Sequence, residues 1–588
     1  MHRAITAGIQ NVISRQDYLN KINVFPVPDG DTGTNMAFTL TSILDGTVNH
    51  VHSRVDDMLE KVADSAIDGA RGNSGAILAQ FFQGFADGSN NVDKHTPHTF
   101  SIAMKTGADY AREALAEPIE GTILTVLTDF ANSLNELIKN GATDFLFLLE
   151  EGLKSAEESL QNTPNLLPVL KKAGVVDSGA QGFVDLLNGI YSFIKTGSIR
   201  DLKVKIFKPS ETNQSEHEVL TDELKFFFCT ECLIKGEEIN RKRLREKLMN
   251  LGDSLVLAGS KSRAKIHIHT NNPADIFKIC REYGIVSDQK TDDMRQQQIS
   301  ASGHLSQNIA IVTDSGADLP PEADELNIHV VPVRYYFGNV GYIDKVSQTP
   351  SEFYKELKTN PEHPKTSQPT PGDFRRQYQF LSTHYKSVVS IHLSKKLSGT
   401  FQSANTATKR VPESSTTLID SMTVSAAQGL IVMYAGELAK NGIAHDKIIQ
   451  KINDIIPKTT IYVAIYDLIY PVRGGRLKKS VKMIADILRI RPVLTAKDGL
   501  IDKAGVLLGT KNLERKFAMF IRKKLDKNKE YRVQIGHCNN FDGANLLKMS
   551  LVDFANIKQI FVVEMGCALG VHAGPGSLSL GVQEIPID

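Results

Sequence analysis

The sequence predicts a multidomain chain with an all-α N-terminal segment, an α+β middle segment and a C-terminal α/β segment. Three observations carry this. Apolar residues recur at helical spacing in Phe145–Leu160 (FLFLLEEGLKSAEESL) and Phe183–Ile194 (FVDLLNGIYSFI). Two apolar-rich runs follow, Lys225–Ile234 and Asp253–Thr270, and the second ends in KIHIHT, which alternates at strand period. Beyond them, strand and helix patterns alternate to the end of the chain, the signature of a largely parallel α/β sheet with ligands at strand C-termini. A length of 588 residues accommodates such an arrangement, at roughly 100–200 residues per domain.

In order, the boundaries read as 1–205, 219–300 and 307–588. Polar stretches separate them, KPSETNQSEHE (Lys208–Glu218) and SASGHLSQN (Ser300–Asn308). The third segment opens with IAIVTDSGADLP, an apolar strand emptying into an Asp/Ser/Gly turn. A helix-like PEADEL and a second strand, HVVPVRYYF, come next, then VVSIHL, TLID, IYVAIY, RVQIGH and IFVVEM. GTFQSANTATKR reads as one of the intervening helices. The charge-free stretch between Glu564 and Glu584, rich in glycine, reads as loops and tight turns.

Composition excludes several classes. Apolar residues are 41% and charged residues 23%, so wholesale disorder is ruled out. Lys plus Arg number 68 against 67 Asp plus Glu, a balance unlike that of a nucleic-acid binder. Five scattered cysteines make no disulfide framework and suit a reducing compartment. No run is long and apolar enough to span a bilayer, which needs about 20 residues. The first residues, MHRAITAGIQNVISRQ, lack an apolar core of signal-peptide length. A cytoplasmic protein with at most peripheral membrane contact is expected.

The most informative stretch is NVFPVPDGDTGTNM, Asn23–Met36. Asp29 and Asp31 flank a glycine, with Gly33 and Asn35 close behind. Two carboxylates this near repel unless a cation lies between them. Hard oxygen ligands on a tight loop suit Mg²⁺, whose octahedron phosphate oxygens can complete; a solvated Asp-Gly turn is the plainer reading. ARGNSGAILAQ (Ala70–Gln80), EGTILTV (Glu120–Val126) and VVDSGAQG (Val175–Gly182) are further polar turns feeding helices. Each suits a phosphate cradle or a simple N-cap.

These motifs, in this order, resemble the nucleotide-binding domain of dihydroxyacetone kinases, and more closely the kinase subunit of bacterial fatty acid kinase. The resemblance covers residues 1–200 and implies an all-α helical barrel that holds ATP through two Mg²⁺ ions. It makes Asp29 and Asp31 metal ligands and catalytic residues. Asn23 stands where dihydroxyacetone kinases use a third aspartate, in agreement with the fatty acid kinase branch. Asn35, Ser74, Gly75, Thr122, Asp177, Ser178 and Gly179 become cofactor-binding residues.

In the middle segment, FCTECLI carries Cys229 and Cys232, and KIHIHTNNP carries His267 and His269, which share a strand face. Two Cys and two His are a zinc donor set, but on a regular strand the cysteines face opposite ways, and ordinary core residues are the plainer reading. The segment resembles the middle domain of fatty acid kinase, which implies zinc on Cys229, His267 and His269 and a head-to-head homodimer contact, with Cys232 in the core.

The C-terminal polar loops are TDSGADLP, KTSQPTPGDF, KLSGTFQSA, RGGRLKK and VHAGPGSLSL. Their hydroxyls, Arg and His suit a carboxylate or phosphate. In this order they resemble the DegV lipid-binding family, which implies a two-domain α/β fold that buries a fatty acid. By position Thr366, Ser367, Ser398 and Gly399 hold the carboxylate, and Arg473, Arg476 and His572 face a phosphoryl group, His572 also touching substrate.

Together the resemblances imply a kinase fused to its lipid carrier. ATP would phosphorylate a bound long-chain fatty acid to an acyl phosphate, for a downstream acyltransferase to use. A carboxylate with a pKa of about 4–5 is already ionised at pH 7, so no general base is required. The alternatives are a non-catalytic lipid-binding or regulatory protein and a dihydroxyacetone-type kinase.

Overall fold

The computed structural model describes residues 1–25, 30–48, 52–197, 224–301, 308–411, 415–554 and 556–585. Asp29 and the Lys208–Glu218 stretch lie outside the described residues. The chain divides into two compact units, Met1–Ala301 and Ser302–Asp588.

The first unit begins with helices α1 (His2–Ser14), α2 (Gln16–Lys21), α3 (Thr32–Thr47), α4 (Val55–Gly69), α5 (Gly72–Asp87) and α6 (Pro97–Glu113). They continue as α7 (Ile123–Lys139), α8 (Phe145–Leu166), α9 (Pro168–Ala173) and α10 (Ser178–Thr196). Local chemistry sets several starts. Thr96 and Thr99 form a reciprocal capping box before α6, with Pro97 at its first position. Asp144 accepts from the Phe147 N–H at the start of α8. Neighbouring helices pack in succession from α3 to α8, and α10 packs on both α8 and α1. Their apolar stripes share a core that includes Ile9, Leu40, Val62, Leu78, Phe130 and Phe183.

The same unit contains β1 (Phe228–Lys235), α11 (Arg241–Leu248), β2 (Gly252–Gly259), β3 (Arg263–Thr270), α12 (Pro273–Arg281), β4 (Ile285–Asp293) and α13 (Met294–Ala301). The strands form a sheet in the order β2-β3-β1-β4, with β1 antiparallel to both β3 and β4. Leu233, Val256 and Ala258 of one sheet face enter the helical core. On the opposite face Cys232 is buried beside Cys280 of α12. The middle segment is therefore welded to the helices through a common hydrophobic core.

The second unit runs β5 (Ile309–Asp314), β6 (Ile328–Val331), β7 (Arg334–Phe337), β8 (Val340–Ile343), α14 (Pro350–Thr359), β9 (Lys365–Ser367), α15 (Pro371–His384), β10 (Ser387–His392), α16 (Thr400–Thr408) and β11 (Thr416–Asp420). It continues α17 (Ser425–Lys440), α18 (His445–Ile455), β12 (Thr459–Ala464), α19 (Ile469–Arg473), α20 (Lys479–Ile487), β13 (Ile490–Lys497), β14 (Leu500–Leu508), α21 (Leu513–Arg522), β15 (Tyr531–His537), α22 (Phe541–Val552), β16 (Ile557–Glu564), α23 (Cys567–Ala573) and β17 (Leu578–Glu584).

One sheet, β11-β10-β5-β6, is parallel throughout. The expectation of a largely parallel architecture fails for the other, β14-β13-β12-β17-β15-β16, where only β15–β16 is parallel. Hairpin β13–β14 supplies its antiparallel edge. HVVPVRYYF is not one strand: it divides at Pro332 into β6, in the parallel sheet, and β7, in the antiparallel β8-β7-β9 sheet. Proline has no N–H to continue a ladder. The stretch expected as loops between Glu564 and Glu584 instead contains α23 and β17, an interior strand buried along most of its length. Helix α17 is apolar on nearly every side because it packs against strands of both large sheets. Its close seat on β17 needs Gly581, where a Cβ would meet the Ala426 backbone.

Candidate functional site

In the first unit, four helix N-termini approach one another. Asn35 of α3 lies against Gly72 at the start of α5. Ser74 of α5 faces Gly179 of α10, where a Cβ would stand 3.2 Å from the Ser74 Oγ. The same Cβ would be 3.4 Å from both Asp177 Oδ1 and Ile123 Cβ, which brings in the start of α7. Asp177 caps α10 by accepting from the Ala180 N–H at 2.8 Å, and Thr122 caps α7. Ser178 Oγ donates to the Leu19 carbonyl, tying α10 to α2 just before Asn23. Gly75 packs on Thr39 of α3. Helix N-termini carry partial positive charge and backbone donors, so their convergence suits a polyphosphate.

Asp31 lies at the start of this cluster, before α3, and its carbonyl accepts from the Asn35 N–H. Burial pushes the Asp31 carboxyl up despite Lys290 and the Asn35 side chain, which pull it down. Asp31 is half-buried with Asn23 and Asn35 buried beside it, an oxygen-donor set that fits a hard divalent cation. Burial likewise pushes Asp177 up to about 6.

The middle sheet presents a polar face to this end of the helices. Register places Cys229 opposite His269 and Glu231 opposite His267, with Asp292 and Lys290 across the other ladder. One ligand atom each from Cys229, His267 and His269 can be chosen so that all lie within 4.8 Å of one another. His267 Nδ1 is 3.1 Å from Glu231 Oε1, and His267 Nε2 is buried without a partner. His269 Nδ1 is 3.4 Å from Asp253 Oδ1. His267 Nδ1 also lies 3.8 Å from Cys229 Sγ, and this thiol–imidazole set fits zinc. Burial lowers the proton affinity of His269, leaving its lone pair available.

Glu231 also accepts from the Gly72 N–H at 2.8 Å. Burial would push its carboxyl up, but Lys290, the His267 hydrogen bond and Lys265 hold it well below the usual range. Sequence reading missed Glu231 and Lys290; their signal was alternation, since Glu231 follows Cys229 by two on the same strand.

In the second unit, Thr366 and Ser367 lie exposed on β9, paired with Tyr335 and Arg334. Ser398 Oγ accepts from the Thr400 N–H, and Gly399 lies against the Gln368 amide at the end of β9. Strand β9 also packs on α23, which carries His572. Arg473 donates to the carbonyls of Asn360 and Pro361, while Arg476 is exposed. Between them Gly474 leaves room for two imidazoles: a Cβ there would stand 2.8 Å from His572 Nδ1 and 3.2 Å from His363 Nε2. Burial, with Arg476 and His363 beside it, lowers His572 to about 4, so its ring is neutral at pH 7. His363 was not singled out in the sequence, although it stands just before KTSQPTPGDF.

Residues of TDSGADLP help set the start of α23. Asp318 accepts from the Gly566 N–H and pairs with Lys345 at 2.8 Å. Asp344 accepts from the Cys567 N–H and from Ser315 Oγ.

Residues 26–192 match the DAK2 domain, 225–301 the FakA-like middle domain of fatty acid kinase, and 308–584 the DegV family of uncharacterised proteins. An uncharacterized protein of Staphylococcus saprophyticus is 36% identical over 301 residues, covering 50% of this chain and 54% of that protein. A Staphylococcus epidermidis protein is 34% identical over 300 residues with the same coverage. The chain thus spans about half the length of the curated relatives it matches. Among solved structures, a fatty-acid-binding DegV family protein from Thermus thermophilus is 28% identical, with 47% of this chain and 100% of that chain covered and a TM-score of 0.44. DegV, a fatty acid binding protein from Bacillus subtilis, is 29% identical over 48% of this chain and 100% of its own, with a TM-score of 0.43.

Proposed function

We propose that this chain, in which a DAK2 domain, a FakA-like middle domain and a DegV family domain follow one another, is a fatty acid kinase fused to its lipid carrier. The observation that carries the kinase half is the meeting of the α3, α5, α7 and α10 N-termini beside half-buried Asp31. Asn23, Asp29 and Asp31 would hold Mg²⁺, and Asn35, Ser74, Gly75, Thr122, Asp177, Ser178 and Gly179 would receive ATP. Mg²⁺ supplies charge neutralisation to the phosphates. Cys229, His267 and His269 hold zinc.

In the carrier half, Thr366, Ser367, Ser398 and Gly399 bind the fatty acid carboxylate. A carboxylate oxygen attacks the γ-phosphorus, the bond to the β-phosphate oxygen breaks, and ADP leaves. The nucleophile is already ionised, so catalysis rests on alignment and charge stabilisation. Arg473 and Arg476 offset charge on the phosphoryl group, and the neutral His572 ring donates a hydrogen bond to it. The product is an acyl phosphate, a substrate for an acyltransferase, and a second copy of the chain completes the working dimer.

Among the described residues no helix is long and apolar enough to cross a membrane. Exposed Val481, Met483, Ile484, Ile487 and Leu488 on and just after α20, beside Lys478, Lys479 and Arg489, support a peripheral lipid contact for loading. ATP consumption by the purified chain with Mg²⁺, with and without a long-chain fatty acid, tests the function. Fatty-acid-dependent turnover that disappears in Asp31→Ala is expected. Turnover with dihydroxyacetone instead would contradict the reading.

A further inference from the structure

Glu231 joins two sites that lie far apart in the sequence. Its Oε1 accepts from the Gly72 N–H at 2.8 Å and lies 3.1 Å from His267 Nδ1. The residue is 1% exposed, so solvent cannot replace either partner. Gly72 opens α5 in a left-handed conformation, and the same turn carries Ser74 toward Gly179 and Asp177. The first turn of α5 is therefore held on one side by Asn35 and on the other by a carboxylate whose second task is to orient a histidine.

We infer that Glu231 is a positioning residue through which a metal ion on Cys229, His267 and His269 sets the first turn of α5, so that metal and nucleotide bind cooperatively. The inference rests on the zinc and phosphate assignments proposed above. A metal held by this set would fix the His267 ring, and with it the imidazole edge that Glu231 faces. The carboxylate oxygen then has one place to stand, and the Gly72 N–H is drawn to it. Linkage requires the reverse effect as well: a nucleotide that orders the α5 turn must tighten the metal site by the same factor. The charged neighbours facing Glu231 are Lys290 and Lys265, which compensate its charge, and Asp31 and Asp292, also on this side.

The test uses the full chain. Zinc is removed with a chelator and restored, and the affinity for ATP with Mg²⁺ is measured by calorimetry in both forms. Zinc affinity is measured with and without nucleotide. For the wild type both comparisons are expected to give the same ratio, about fivefold or more. Glu231→Ala is expected to bind both ligands with a ratio near one. Glu231→Gln, which keeps an oxygen at that position, is expected to restore most of the coupling. Should Glu231→Ala fail to fold, hydrogen exchange of the wild-type Gly72 amide gives the answer, since zinc alone must slow it.

Equal nucleotide affinity in stripped and zinc-loaded wild type would overturn the inference, as would an undiminished ratio in Glu231→Ala. A wild type that retains no zinc contradicts the metal assignment, and one that binds zinc but no nucleotide contradicts the phosphate assignment. Each of these removes the coupling with it.

Discussion

Gly72 and Asn35 are packed so closely that a Cβ on Gly72 would collide with the Asn35 side-chain amide, and Gly72 has a φ of +58° besides. Both facts forbid a side chain at the mouth of the phosphate cradle. Gly72→Ala is expected to cost about 1–2 kcal/mol of stability from backbone strain and displacement. Nucleotide affinity should fall at least tenfold, because the turn that moves is the one carrying Ser74. Thermal unfolding and an ATP titration on the same sample check both.

Asp177 gives a pH-dependent prediction. Its folded pKa of about 6 is above the ordinary 3.8 because the carboxyl is buried. A raised carboxyl pKa leaves stability intact below the ordinary value and removes it as pH rises through the folded value. Asp177→Asn keeps a capping oxygen for the Ala180 N–H but never ionises. At pH 7 without ligand it should be more stable than wild type by about 1–3 kcal/mol. That advantage should vanish as pH falls from 6 to below 4, read by denaturant titration across the range.

His572 has the opposite sign. Its folded pKa is lowered to about 4 from 6.5, by burial first and then by Arg476 and His363. Stability from keeping this ring neutral is present above 6.5 and is lost as pH falls toward 4. The midpoint of its imidazole resonance, assigned by comparison with His572→Gln, should lie near 4. Inorganic phosphate, if it docks beside the ring, should raise that midpoint.

Much of this was legible in sequence because it depends on local chemistry. The helix starts at Ile123 and Ser178 follow their caps Thr122 and Asp177, and the H-x-H pair falls on one strand face. Tertiary choices were harder to see. Pro332 sits inside an apolar run that looks continuous, yet its missing N–H sends β6 and β7 to different sheets. Strand β17 reads as part of a glycine-rich loop because its one glycine, Gly581, answers to α17, which packs across it. Glu231 looks like an ordinary charge between two cysteines. Only the ladder reveals that it faces His267 and the start of α5.

Helix α20 offers a test on the protein surface. Ile487 is 73% exposed, so Ile487→Glu should change stability by no more than about 0.5 kcal/mol. Binding to vesicles containing anionic phospholipid should nevertheless drop severalfold, because the apolar face beside Lys478, Lys479 and Arg489 is interrupted. Vesicle co-sedimentation of the two proteins at matched ionic strength decides it.

The central claim is that the phosphoryl group passes from ATP to a fatty acid carboxylate. Its most direct measurement is to incubate the full chain with ATP, Mg²⁺ and a long-chain fatty acid, trap the product with hydroxylamine, and detect the acyl hydroxamate by mass spectrometry. The account predicts hydroxamate that requires ATP, Mg²⁺ and fatty acid together and is absent with Asp31→Ala. ATP hydrolysis without hydroxamate, or phosphorylation of dihydroxyacetone in its place, would contradict it.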